Sequence, residues 1–132
     1  MIKIGIDPGV HTGFAVAEDG KLTRLETLDF WKVYHIVSGL IDEHGSLCVI
    51  IEVPKTKANW HNPAAAHNVG RVCREAELLA CGLELIGAQV ERVHPKGKVD
   101  AVAFARITKW KGRTNEHQRD AGMLVITARK YK

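Results

Sequence analysis

Five consecutive apolar residues, Leu47-Cys48-Val49-Ile50-Ile51, stop abruptly at Glu52. A run of that length without polar alternation suits a central strand covered on both faces, and such a strand needs helices on either side of its sheet. The chain supplies them. Phe30 to Glu43 carries Trp31, Tyr34, Val37, Leu40 and Ile41 at three- and four-residue steps, the pattern of an amphipathic helix, which Gly45 ends. Ala64 to Gly82 repeats the pattern with Ala66, Val69, Cys73, Ala76, Leu79 and Leu83 on one face. Pro63 suits its first turn.

The first 29 residues have period two instead. Ile2, Ile4 and Ile6 alternate with Lys3 and Gly5, and Gly13–Ala17 and Leu22–Leu28 form two more candidate strands. Asp19-Gly20 is a favoured hairpin pair between the latter two. Gln89–Val93 reads as a short strand. Val99–Trp110, with Val99, Val102, Ala103, Arg106 and Ile107 at helical steps, and Glu116–Lys130 read as the last two helices. The predicted order is β-β-β-α-β-α-β-α-α: a mixed five-stranded α/β sheet, three antiparallel strands and then two helix-connected ones, flanked by helices. The 132 residues make one domain, 1–132, without repeats or linkers.

Two of these strands end in an acid just before a turn or loop, Asp7 ahead of Pro8-Gly9 and Glu52 ahead of residues 53–63. Loops at strand ends are where α/β sheets place their sites. Near the C-terminus His117 and Asp120 lie three residues apart on one helix face, followed by apolar Met123, Leu124 and Ile126. A helix packed on the sheet by those residues brings His117 and Asp120 toward the strand ends. Three carboxylates gathered at one point repel one another and are stable with cations between them, and oxygen donors favour Mg²⁺ or Mn²⁺. Taken singly each residue has a plainer role. Asp7 suits the first position of a turn, Asp120 suits pairing with Arg119 or Arg113, and His117 suits a surface cap.

Charge is distributed unevenly. Residues 1–90 hold 8 Lys/Arg against 11 Asp/Glu, and residues 91–132 hold 11 against 4. A basic C-terminal third suits a polyanionic partner. No apolar run is long enough for a membrane-spanning helix, and the N-terminus lacks the blocks of a signal peptide, so the expected location is the cytoplasm. Cys48, Cys73 and Cys81 lie in apolar stretches without a CxxC pair, and the expectation is buried, reduced thiols.

In combination these motifs resemble those of the RuvC-like Holliday-junction resolvases, of the ribonuclease H/retroviral-integrase fold. Ile4-Gly5-Ile6-Asp7-Pro8-Gly9 resembles the family's first motif, and Val49-Ile50-Ile51-Glu52 the second. Asn62 and Gly70 match its Asn-to-Gly helix start, and His117-Gln118-Arg119-Asp120-Ala121 its last motif. The short length resembles phage-encoded members, for which the compartment is the host's cytoplasm. The resemblance implies a ribonuclease H-like sheet and a Mg²⁺-dependent endonuclease with two ions per site, Mn²⁺ substituting. It implies symmetric nicks with 5′-phosphate ends in four-way DNA junctions, cut by a homodimer. Asp7, Glu52 and Asp120 become metal ligands. His117 becomes a fourth ligand or an acid–base group, and Lys98, with Lys96 second, the catalytic-site lysine.

For DNA contact, the loop after Glu52 offers Lys55, Lys57, Asn59 and an aromatic, Trp60, suited to stacking at a branch point. Arg71 and Arg74 early on the next helix, and Lys109, Lys111 and Arg113 before the last, extend the basic set. Arg71 and Arg74 also suit pairing with Glu75 and Glu77. The Ala- and Cys-lined helix 64–82 is a candidate dimer face, or packs by its small residues on its own sheet. Rival functions are a less selective nuclease of the same fold acting on forks, flaps or RNA–DNA hybrids, and a non-catalytic branched-DNA-binding module. A sugar-kinase-like ATPase, which also opens on a strand and Gly-Ile-Asp, needs about twice this length.

Overall fold

The computed structural model describes residues 1–54, 63–95 and 97–127. Strands β1 (Ile2–Asp7), β2 (Thr12–Glu18) and β3 (Lys21–Leu28) form an antiparallel meander. Helix α1 (Phe30–His44), strand β4 (Cys48–Glu52), helix α2 (Pro63–Leu85), strand β5 (Gln89–Val93) and helices α3 (Ala101–Thr108) and α4 (Glu116–Thr127) follow. The sheet order is β3-β2-β1-β4-β5, with β4 parallel to both β1 and β5. The mixed five-stranded sheet and its flanking helices are as expected, and local chemistry explains the boundaries. Asp19 and Gly20 both take positive φ (52° and 83°), the hairpin twist that Asp-Gly favours. Asp29 caps α1 through its carboxylate and Lys32 N–H, 2.9 Å, and Asp100 caps α3 through Ala103 N–H, 2.8 Å. Gly45, at φ 81°, stops α1.

Parity sorts the side chains of β1 and β2 by size. Large residues, Ile4, Ile6, Phe14 and Val16, point to the face covered by α1 and α2 and build the main core with Val33, Val37, Val49, Ile51, Leu79 and Leu83. Small ones, Gly5, Gly13, Ala15 and Ala17, point to the opposite face, where α4 lies with Phe104 of α3. The helix touches backbone there: a Cβ on Gly5 would stand 2.3 Å from Ala121 O, and one on Gly13 would stand 1.9 Å from His117 O. Asp7 shares the parity of Gly5, and Glu52 that of Ile50, so both carboxylates face α4.

Three expectations are corrected. Trp31 is 75% exposed, because Val33 and Val37 carry the buried stripe of α1. In α3, Val102 and Ile107 are exposed and the helix is held by Phe104 and Thr108, whose hydroxyl donates to Phe104 O at 2.8 Å. Cys81 is exposed and Cys48 and Cys73 are half-buried; all three are free thiols. Of the two roles open to the small residues of α2, packing within the chain's own core is the one Ala76 and Ala80 take. No helix among the described residues is long and apolar enough to cross a membrane.

Candidate active site

Strands β1 and β4 run parallel in a register that pairs Ile6 with Ile51. One step further, Asp7 and Glu52 end their strands side by side, on strands about 4.8 Å apart. Val53 N–H donates to Val93 O at 2.7 Å, so the pairing of β4 with β5 continues past Glu52 and holds its backbone. Across β1, Asp7 pairs with Gly13. Gly13 is where α4 comes down onto the sheet, and the first turn of α4 carries His117 and then Asp120 over the same strand ends. His117 Nδ1 stands 3.6 Å from Asp7 Oδ2.

The start of α4 is fastened from three sides. Asn115 Oδ1 accepts from Gln118 N–H at 2.9 Å, and Gln118 Oε1 accepts from Asn115 N–H at 3.1 Å, a reciprocal cap. Asn115 Nδ2 donates to Thr27 Oγ1 at 2.8 Å, tying the helix to β3. Arg119 donates from Nε to Val99 O at 3.1 Å and from a terminal nitrogen to Thr114 O at 2.9 Å. That guanidinium therefore anchors the segments before α3 and α4, and its hydrogen bonds go to Val99 and Thr114 while its charge still acts on Asp120. Lys98, one residue before Val99, forms an ion pair with Glu116.

Electrostatically the three carboxylates are one group. Burial raises the pKa of Asp7 to about 7, the charge of Asp120 adds to the rise, and Lys98 opposes it. Burial likewise raises Glu52 to about 7, reinforced by Asp7 and Asp120 and opposed by Lys98. Asp120 is raised by burial, against the lowering influence of Lys98, His117 and Arg119. Among the described residues no three His, Cys, Asp or Glu side chains close on one point tightly enough to grip an ion as they stand. The donor chemistry nonetheless fits a hard divalent cation: oxygen donors whose charged forms are disfavoured until a positive charge joins them.

No protein-family model matches the chain, and no curated protein matches it. Among solved structures it is similar to Thermus thermophilus RuvC in complex with a Holliday junction substrate, with a TM-score of 0.64 at 19% identity over 99% of this chain and 94% of that one. A second structure, of Thermus thermophilus RuvC, is similar with a TM-score of 0.59 at 20% identity, over 99% of this chain and 97% of that one. The fold is that of RuvC.

Within this RuvC-like fold, the residues expected to meet DNA fall into three groups. Lys109, Lys111 and Arg113 are exposed on the segment between α3 and α4. Arg71 and Arg74 are exposed on α2, and Glu77, one of their expected partners, bonds Arg92 at 3.0 Å instead. Lys55, Lys57, Asn59, Trp60 and Lys96 lie outside the described residues, as does Asn62. Sequence reasoning missed His11. It is exposed in the turn after Asp7, and its ring centroid lies 6.3 Å from that of His117. The signal was its place inside the turn Pro8–His11, which opens from the strand end that carries the first acid. The parity that aims Asp7 and Glu52 at α4, and the cap Asn115-x-x-Gln118, were equally legible and unread.

Proposed function

We propose that this chain is a metal-dependent, structure-specific endonuclease that resolves four-way DNA junctions, leaving nicks with 5′-phosphate ends. The observation that carries the reading is the gathering of Asp7, Glu52 and Asp120 at the ends of the central strands β1 and β4, with burial and mutual repulsion holding the pKa of Asp7 and Glu52 near 7. A protein that only bound DNA would gain nothing from buried acids facing a phosphate. The RuvC fold and the basic C-terminal third support the same reading.

Asp7, Glu52 and Asp120, with His117, would hold two Mg²⁺ ions, or Mn²⁺ in their place. Ions so placed supply an activated water and stabilise the leaving oxygen of phosphodiester cleavage. The chain's own groups do the rest. Lys98 sends positive charge into the carboxylate cluster and faces the phosphate that enters it. His117, 45% exposed, keeps a ring nitrogen beside Asp7 while its open edge meets solvent and substrate, where it holds or accepts a proton. Lys109, Lys111 and Arg113, with Arg71, Arg74, Lys55, Lys57, Asn59 and Lys96, bind backbone phosphates, and Trp60 stacks at the branch point. Two symmetric cuts require a two-fold dimer. The outer side of α2, where Leu78 and Leu85 are exposed, is the surface we assign to it. The protein acts in the cytoplasm, that of the host if it is phage-encoded.

The test is cleavage of a labelled synthetic four-way junction with Mg²⁺ or Mn²⁺, beside duplex, fork and RNA–DNA hybrid, with Asp7→Asn as control. Paired symmetric nicks in the junction, absent from the control, are expected. Cutting of every branched or hybrid substrate would replace the resolvase with a general nuclease of this fold. Junction binding without cutting would leave a binding module.

A further inference from the structure

Between α3 and the segment that leads into α4 lies a cavity of about 200 Å³ that the cleavage chemistry does not use. Phe104, wholly buried, lies at its base. Ala101, Ala105 and half-buried Trp110 line it, with Arg113 and Thr114. The backbone at Trp110 is held by its N–H donating to Thr108 Oγ1 at 3.2 Å, and Thr114 is held by Arg119. Ala101 follows Lys98 by three residues, and Thr114 precedes His117 by three. Three residues span at most about 10 Å, so the Thr114 end of the cavity lies within about that reach of His117.

Size and chemistry together restrict the occupant. The volume equals that of six or seven waters at about 30 Å³ each, and falls short of the roughly 300 Å³ at which pockets for drug-sized ligands begin. Its lining is mostly apolar with one aromatic wall. Its wall carries one cation, exposed Arg113, and exposed Lys109 and Lys111 flank Trp110 in sequence. A small slot of this kind fits a flat π-face joined to a negative charge. A single unpaired nucleotide has that form, and a base pair is too large.

We propose that this cavity receives one unpaired nucleobase of the bound strand, stacked on Trp110 with a neighbouring phosphate on Arg113, beside the phosphate to be cut. The inference rests on the junction-binding reading above and adds to it a site that selects the nucleotide next to the cut. Trp110 and Phe104 serve the fold as well as the site, because both pack in the cluster with Ala121 and Val125. The variant to use is therefore Ala105→Leu, which fills the cavity from an exposed position.

The test uses the full chain labelled with 5-fluorotryptophan, whose three tryptophans give three ¹⁹F signals. The chain is titrated without metal with a four-way junction, with plain duplex, and with free dAMP or dTMP. The junction is expected to move the Trp110 signal saturably. Ala105→Leu is expected to suppress that movement and weaken junction binding about five-fold or more, with duplex binding unchanged. A Trp110 signal that stays still while a mobility shift reports bound junction overturns this site and leaves the nuclease reading standing. So does a signal that answers to free monophosphate and not to junction, or an Ala105→Leu chain that binds the junction as tightly as wild type. A chain that binds no junction at all overturns both.

Discussion

The backbone carbonyl of His117 lies 1.9 Å from where a Cβ on Gly13 would stand, so the first turn of α4 rests directly on β2. Asp7 is the residue paired with Gly13. Gly13, with Gly5 beneath Ala121, thus sets the height at which His117 and Asp120 hang over the first acid. Gly13→Ala is expected to lift α4, lower the melting temperature by about 10 °C or more, and abolish cleavage. Gly39→Ala, in open space on α1, is the control and is expected to stabilise by about 0.5–1 kcal/mol. Thermal unfolding of both variants decides; equal melting temperatures would mean α4 does not rest where the carbonyl places it.

Asp7→Asn keeps the shape of the side chain and removes a charge that burial and Asp120 both oppose. Cleavage is expected to vanish, junction affinity to hold or rise, and the metal-free chain to become more stable at pH 8. Single-turnover cleavage, a binding titration and a melt measure the three separately. Wild-type cutting by this variant would remove Asp7 from the mechanism.

The raised carboxylates set the sign of a pH dependence. Asp7 and Glu52 keep their protons in the folded chain up to about pH 7, whereas in the unfolded chain they lose them near their ordinary values of 3.8 and 4.5. Between those limits the folded state binds more protons, so stability of the metal-free protein falls as pH rises through the window. A melt at pH 5.5 is expected several degrees above one at pH 8, with the gap narrowed in Asp7→Asn. Millimolar Mg²⁺ is expected to stabilise more at pH 8 than at pH 5.5, because protons compete for the same oxygens. A flat profile without metal would contradict the buried cluster.

Asn115 caps α4 and ties it to Thr27. Asn115→Ala is expected to cost about 1 kcal/mol of stability. Its effect on cleavage is expected to be larger, ten-fold or more, because the lost bonds position His117 and Asp120 rather than the core. Unchanged turnover in a destabilised variant would show that the sheet contact alone positions the helix.

Lys98 lowers the pKa of all three acids. In Lys98→Met the carboxylates are expected to titrate at higher pH, moving the acidic limb of the cleavage profile upward. A profile reduced in height and unmoved in position would assign Lys98 to phosphate binding alone.

Much of this architecture is written locally. Period two in β1–β3, the Asp19-Gly20 turn, the unbroken run at Val49–Ile51 and the stop at Gly45 each depend on neighbours within a few residues, so the sequence by itself determined the strands, helices and sheet type. It also determined that two strands end in acids, since a carboxylate after an apolar run is visible without coordinates. Helix faces were less legible. Trp31, Val102 and Ile107 belong to apolar sets at three- and four-residue steps yet face outward, because exposure depends on what packs opposite, and sequence periodicity does not name the partner. Only the tertiary structure decided how close α4 comes to the sheet. That closeness needs Gly5 and Gly13 beneath the carbonyls of Ala121 and His117, residues more than a hundred positions apart. It makes separate acids into one coupled group, because electrostatic coupling follows distance in space and burial from water, neither of which the order of residues carries.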